Sequence, residues 1–302
     1  MKNIFGRYLL FFVMLVAMVA GMTLPGLPSL PQSVVAVILA VMIFFACSKV
    51  SYEDIRRLNL RNMGVFYVSR FVILPLVLYF IFYFLWPEWA VAALLLSLMP
   101  SATAAPAVSM IVKGNTAYTL GSTVVGNFLA PFIIPLVFLL VGYADVSIDV
   151  SRMFFMLLWV IFLPVMAYAL VVRCLPSVAH VTKKASFGVS TFLVGVIIAV
   201  VIAQQRHLLQ ADWLFFAKCF VIGFFLYSFY FVAGWLFAAK ESRKMKRTLA
   251  VSSGANNISL GVAVAVLHFT PQVVFFMVAC EFVWAAIVPA FQSLVSERDG
   301  LN

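Results

Sequence analysis

The chain has little charge and few residues suited to catalysis. Of its 302 residues only 10% are charged, with ten acids, three histidines and four cysteines, whereas soluble proteins carry about 25% charge. The cysteines lie far apart, with no histidine at ligand spacing, which argues against a disulfide framework or a metal site. No histidine or aspartate lies near the polar segments of the apolar runs, so an enzyme is not expected.

Most residues of the chain are apolar. They amount to 65% of the chain, and a membrane-spanning helix needs about 20 of them in succession. Little sequence remains for a soluble domain, so we predict an all-α, multi-pass membrane protein with ten spans. The runs are roughly 8–24, 33–48, 63–85, 89–112, 117–142, 153–175, 185–205, 213–238, 247–268 and 271–295.

The basic residues are distributed unevenly between the two sides of these spans. Arg152 and Arg206 lie on one side, and sixteen lysines and arginines lie on the other. This positive-inside pattern predicts an inner (plasma) membrane protein with both termini in the cytoplasm. The net charge of +10 therefore reflects topology and not a nucleic-acid partner. The sixteen are Lys2, Arg7, Lys49, Arg56, Arg57, Arg61, Lys113, Arg173, Lys183, Lys184, Lys240, Arg243, Lys244, Lys246, Arg247 and Arg298.

Two runs, the fourth and the ninth, are interrupted by polar residues, glycine or proline. The fourth contains SLMPSATAAPAVSM (97–110) and the ninth contains SSGANNISLG (252–261), about half the chain apart. Asn127 and Glu281 each precede a proline by eight residues in the fifth and tenth runs. These matches predict two inverted five-helix repeats, 1–145 and 146–302, with discontinuous fourth and ninth helices.

Broken helices at matching places indicate a binding site. They free backbone N–H and C=O groups that lipid cannot solvate, so these groups must face protein or a water-filled cavity. Helix N-termini favour anions, and freed carbonyls favour cations. Interrupted helices in both halves are typical of the central site of a secondary transporter.

The two interrupted segments resemble the bile acid:sodium symporter family. The resemblance rests on MPSATAAPAVSMIVKGNTAYTLGSTVVGNFLAPFIIPLVFLLVG and on RTLAVSSGANNISLGVAVAVLHF. It implies a panel of helices, roughly 8–48 and 153–205, and a core of helices, roughly 63–142 and 213–295, in which the fourth and ninth cross. It also implies a small organic anion substrate, of carboxylate or sulfonate type, held by Ser101, Thr103, Asn256 and Asn257.

The sodium ligands of that family are mostly absent here. By the resemblance, Ser252 stands where the ninth helix usually has a glutamate, beside Ser253, and Arg70 stands where the third helix has a glutamine. Only Thr119 and Thr123 remain as oxygen ligands. We therefore expect weak or no sodium dependence, with the Arg70 guanidinium replacing an ion; alternatively, Arg70 extends to the cytoplasmic interface.

Glu281 is the carboxylate well inside a predicted span, and three roles are open for it. It forms an ion pair with Arg70, acts as a proton-coupling acid, or supplies a rearranged cation site. No other cofactor is expected.

The resulting hypothesis is a secondary active transporter of a small organic anion that works by alternating access, as a monomer or homodimer in membrane lipid. Two alternatives stay open: a sodium-coupled symporter with a rearranged ion site, and a transporter-like sensor without flux. Arsenite efflux carriers have a similar layout, but the thiolate and glutamate that they use are absent here.

Overall fold

The computed structural model describes residues 2–49, 60–142 and 149–300. Arg56, Arg57 and the predicted repeat boundary at 145/146 lie outside the described residues. Over the described ranges the chain is helical, and a π-helical turn (Ser69–Ile73) joins α3 to α4. The helices are α1 (Lys2–Thr23), α2 (Ser33–Cys47), α3 (Leu60–Val68), α4 (Leu74–Leu85), α5 (Pro87–Leu98), α6 (Ala105–Ile111), α7 (Thr116–Leu140), α8 (Val150–Cys174), α9 (Pro176–Ala211), α10 (Trp213–Phe237), α11 (Arg243–Gly254), α12 (Ile258–His268) and α13 (Pro271–Gly300).

The helical content and apolar spans of a multi-pass membrane protein are confirmed. Within the described residues, six helical stretches are long and apolar enough to cross a membrane. The predicted interruptions are also present, because run 89–112 forms α5 and α6, and run 247–268 forms α11 and α12. The arrangement of ten spans in two inverted repeats stays a prediction.

Each interruption has a local chemical cause. In the first, the residue before Pro100 is extended (φ −66°, ψ 127°), because the proline ring disfavours helical backbone there. Pro106 lies in the first turn of α6, where a missing N–H is tolerated. In the second, the Asn257 side chain accepts a hydrogen bond from the backbone N–H of Leu260 and so caps α12.

The two interruptions are hydrogen-bonded to each other. The N–H of Ala102 donates to the carbonyl of Ala255 at 2.6 Å, and the N–H of Asn257 donates to the carbonyl of Pro100 at 2.7 Å. An antiparallel bridge pairs Ser101 with Asn256. We call this pairing of 100–102 with 255–257 the crossing. It satisfies backbone groups that the broken helices could not satisfy alone.

The π-helical turn is explained by Pro75. A proline has no N–H to donate to the carbonyl four residues back, and its ring clashes with that carbonyl. The helix widens instead, and the N–H of Leu74 bonds to the carbonyl of Ser69, five residues back. The turn contains Arg70, whose side chain is 0% exposed. The prediction that Arg70 extends to the cytoplasmic interface is therefore wrong.

The helices pack in two groups. In one, α1 packs on α9, and α2 packs on α8 and α9; in the other, α10 packs on α11 and α13, and α4 packs on α5. The groups meet where α1 contacts α13 and α2 contacts α12. A Cβ on Gly234 would collide with the carbonyl of Leu249, so only glycine permits the close approach of α10 to α11.

Candidate functional site

A cleft of about 600 Å³ lies between the two groups of helices, beside the crossing. Leu9 and Leu10 of α1, Met42 of α2 and part of α9 line one wall. The opposite wall comprises Thr103, the second interruption and α13. Apolar side chains predominate, with a few polar groups placed among them, as is usual for small-molecule sites.

Thr103, Asn256 and Asn257, predicted to hold substrate, line this cleft together, but their side chains are not equally available. Thr103 is exposed to the cleft. The Asn257 amide donates to Asn127 Oδ1 at 2.9 Å, and its oxygen caps α12. The Asn256 amide donates to the carbonyl of Leu96 at 3.0 Å.

Ser101 does not belong to the cleft wall. It is 0% exposed, and its hydroxyl donates to the carbonyl of Ser252 at 2.5 Å. That bond ties the first interruption to the last turn of α11. The hydroxyl therefore stabilises the crossing, and a contact of Ser101 with substrate stays a prediction.

Arg70 lies at the point where the two interruptions converge. Its Nη1 donates to the carbonyl of Ser97 at 2.9 Å, and its Nη2 donates to the carbonyl of Ser253 at 2.7 Å. Nε donates to Ser253 Oγ at 2.7 Å, and Nη2 also donates to Asn256 Oδ1 at 3.2 Å. The guanidinium lies over the Tyr230 ring, 4.3 Å from its centroid.

The groups around Arg70 are those that would attract a cation. Ser97 and Ser253 belong to the last turns of α5 and α11, where carbonyls lack helical partners and the helix dipole is negative. The Ser253 hydroxyl donates in turn to the carbonyl of Tyr230 at 2.7 Å, which fixes its orientation. The guanidinium thus satisfies carbonyls that both interruptions leave free.

Comparison with known proteins gives the family. A model described as the Sodium Bile acid symporter family matches residues 36–212. The chain belongs to this family. The family that the sequence resembles is therefore confirmed.

Two named transporters are similar to this chain over most of its length. The "Uncharacterized sodium-dependent transporter YocS" of Bacillus subtilis (strain 168) is 26% identical over 278 residues, 88% of this chain and 83% of that protein. The "Probable sodium/metabolite cotransporter BASS1, chloroplastic" of Arabidopsis thaliana is 23% identical over 215 residues, 68% of this chain and 49% of that protein. Transport, and not catalysis, is the activity that these comparisons support.

Glu281 lines the cleft of this family member from α13 and is 4% exposed. Its Oε1 accepts a long hydrogen bond, 3.4 Å, from Ser259, while its buried Oε2 has no hydrogen-bond partner. Across the described part of the chain it forms no ion pair with Arg70, which bonds to carbonyls instead. The ion pair considered from the sequence is therefore wrong, and the two other roles stay open.

The predicted oxygen ligands on α7 are engaged in backbone contacts. Thr119 donates to the carbonyl of Asn115, and Thr123 donates to the carbonyls of Thr119 and Ala102. Ser252 is 0% exposed, and its hydroxyl has no hydrogen-bond partner. These three positions carry oxygen but no carboxylate.

Sequence reasoning missed several polar residues of the site. Ser259 and Trp284 line the cleft, and so does Lys49, just beyond α2, where desolvation lowers the pKa of its ammonium group. Asn127 bonds both to Asn257 and to the carbonyl of Ser101. A signal for Asn127 was present in the sequence, because Asn127 and Glu281 each precede a proline by eight residues. In the structure Asn127 contacts Asn257 of the second interruption, and Glu281 contacts Ser259 at the start of α12.

Proposed function

We propose that this protein is a secondary active transporter of a small organic anion, of carboxylate or sulfonate type, with weak or no sodium dependence. The observation that carries the proposal is the buried Arg70 guanidinium at the convergence of the two interruptions, 2.9 Å and 2.7 Å from the carbonyls of Ser97 and Ser253. A fixed positive charge of the protein occupies a place suited to a coupling cation.

The cleft supports an organic anion as substrate. Thr103 presents a hydroxyl beside the start of α12, whose N-terminus favours negative charge. Lys49 adds a positive charge to the same cleft, and the remaining wall is mostly apolar. In this proposal Thr103 contacts the substrate directly, Asn256 and Asn257 position the crossing around it, and Ser101 supports the crossing from behind.

Electrostatics support weak sodium dependence. A sodium ion about 4 Å from the guanidinium would be repelled by about 4 kcal/mol at an effective dielectric near 20, about a thousandfold in affinity. The two named relatives are described as sodium transporters, which favours the alternative of a rearranged sodium site at Thr119, Thr123 and Ser252. The sodium arm of the transport experiment below distinguishes the two.

Glu281 provides the coupling acid in this proposal. A buried carboxylate with one long hydrogen bond is costly in its ionised form, and an anion in the same cleft increases that cost. Binding of the anion therefore favours protonation of Glu281, and anion and proton cross the membrane together. By thermodynamic linkage, protonation of Glu281 increases anion affinity by the same factor.

The proposed mechanism is alternating access between a panel (α1, α2, α8 and α9) and a core (the remaining helices), built as ten spans in two inverted repeats. Lys49 follows the cytoplasmic end of the predicted span 33–48, Gln292 lies inside the span 271–295 near its cytoplasmic end, and both line the cleft. The positive-inside orientation therefore makes this an inward-open arrangement, in an inner-membrane monomer or homodimer.

Counterflow in proteoliposomes tests the proposal. Vesicles loaded with candidate carboxylates or sulfonates are assayed for saturable exchange, in sodium or in choline, with and without an acidic exterior. We expect exchange that is equal in both salts. Exchange that requires sodium refutes the sodium-independent mechanism, and ligand binding without any exchange identifies the sensor alternative.

A further inference from the structure

A second cavity lies outside the cleft, as a groove of about 630 Å³ between α10, α11 and α13. Its walls are mostly apolar and include Phe231, Trp235, Phe291 and Leu294. The rings of Phe231 and Phe291, which both line it, lie in contact with their centroids 4.5 Å apart. We call this cavity the α10–α13 groove.

The α10–α13 groove is basic at one end. Arg243, the first residue of α11, and Arg247 both line it. The short connection from the end of α10 to α11 places both arginines at the C-terminal end of α10. The N-terminus of α11 lies at the same end and adds partial positive charge. Segment 240–247 carries five basic residues and one acid.

The groove is also open to the membrane. Phe224 and Val232, which line it, are 54% and 54% exposed, and the neighbouring Phe225 on α10 is 67% exposed. Large apolar side chains exposed on an apolar helix face lipid tails in a membrane protein. By the positive-inside pattern, the basic end lies at the cytoplasmic leaflet, whose surface is anionic.

We propose that the α10–α13 groove binds one anionic phospholipid of the cytoplasmic leaflet. An acyl chain lies along the apolar walls, and the headgroup phosphate contacts Arg243 beside the N-terminus of α11. Basic pockets between helices at the cytoplasmic side are suited to such headgroups.

Charge and shape favour this occupant over two others. A small soluble anion would contact the arginines but leave the apolar walls uncovered. A second copy of the chain, in a two-fold dimer, would bring the same basic patch towards itself, where like charges repel. A phospholipid covers the apolar walls and neutralises the basic end together.

The groove and the cleft lie on different faces of the same helix. Ile287, Ala290 and Phe291 line the groove, whereas Glu281, Trp284 and Val288 line the cleft. A lipid in the groove therefore packs against the back of the helix that carries Glu281. The proposed lipid site is independent of the identity of the transported anion.

Brominated lipids test the proposal, because bromine quenches nearby tryptophan fluorescence. The full-length protein is placed in nanodiscs with either brominated phosphatidylglycerol in ordinary phosphatidylcholine or the reverse. The fluorescence of Trp235 is obtained as the difference between the fluorescence of the unaltered protein and that of Trp235→Phe. We expect quenching at lower mole fraction for the anionic lipid. Arg243→Gln should reduce that preference about fivefold, the effect of one basic residue near an anionic surface, and Arg243→Lys should retain it.

Arg173→Gln is the matched control, because Arg173 is an exposed arginine in the last turn of α8 and does not line the groove. Its preference should equal that of the unaltered protein. Equal quenching by both brominated lipids, or an undiminished preference in Arg243→Gln, overturns the proposal. So does protection of Trp235 from both lipids in a sample that cross-links as a dimer.

Discussion

Replacement of Arg70 by glutamine should exchange a fixed charge for an ion site. Arg70 is 0% exposed and donates to the carbonyls of Ser97 and Ser253 and to Asn256 Oδ1. The substitution removes the guanidinium and leaves these acceptors close together without a cation. Glutamine supplies one amide in place of a charged fork, so most of the acceptors stay unsatisfied.

The magnitude follows from those contacts. Removal of one partner from a buried, hydrogen-bonded charge network costs about 3–5 kcal/mol, and each buried carbonyl left unsatisfied costs about 1–3 kcal/mol. We therefore expect Arg70→Gln to lower the free energy of unfolding by about 3–5 kcal/mol. An ion that binds only the native state restores stability by mass action, about 2.7 kcal/mol at a concentration of 100 Kd.

The assay is thermal unfolding of the full chain in detergent, in sodium chloride and in choline chloride at equal ionic strength. Sodium should raise the melting temperature of Arg70→Gln and leave that of the unaltered protein unchanged. Arg173→Gln, at an exposed arginine, should behave like the unaltered protein. Equal stabilisation of the unaltered protein and Arg70→Gln by sodium would refute the reasoning, because Arg70 would then not be the group that excludes the ion.

Three further predictions concern the cleft and the crossing. Thr103→Val should weaken anion binding about 10-fold to 150-fold without loss of stability, because an exposed hydroxyl that bonds a charged ligand contributes about 1.5–3 kcal/mol. Titration calorimetry measures the affinity, and an unchanged affinity in the folded variant would contradict this. Asn257→Ala should lower the unfolding free energy by about 1–3 kcal/mol, since it removes the cap of α12 and the bond to Asn127; unchanged melting would contradict this. Glu281→Gln should abolish anion accumulation driven by an acidic exterior yet retain counterflow. Glu88→Gln, at an exposed acid, is the control and should accumulate the anion normally. Accumulation that persists in Glu281→Gln would exclude Glu281 as the coupling acid.

The interruptions were predictable because their causes are local. Pro100 forces the preceding residue out of helical backbone whatever surrounds it. Asn257 caps the helix that follows through its own side chain. Such effects extend over a few residues, so a reading of the chain alone locates both helix breaks and the polar residues within them.

The roles of individual site residues were not predictable in the same way. Asn256 and Ser101 are polar residues at the predicted crossing, yet their side chains bond to the backbone at Leu96 and Ser252. Glu281 and Arg70 carry opposite charges inside predicted spans, but in the described part of the structure they form no ion pair with each other. Partner choice depends on distances between segments far apart in the chain, and composition carries no information about those distances.

A helical membrane protein with two polar helix breaks follows from the amino-acid sequence alone, because hydrophobic length, proline and asparagine act locally. What fills the space between those breaks depends on how segments far apart in the chain pack together. Arg70 reaches carbonyls 27 and 183 residues away because a widened helical turn lies beside both interruptions. The negative ends of α5 and α11 meet at one point, and a buried cation of the protein itself satisfies them there.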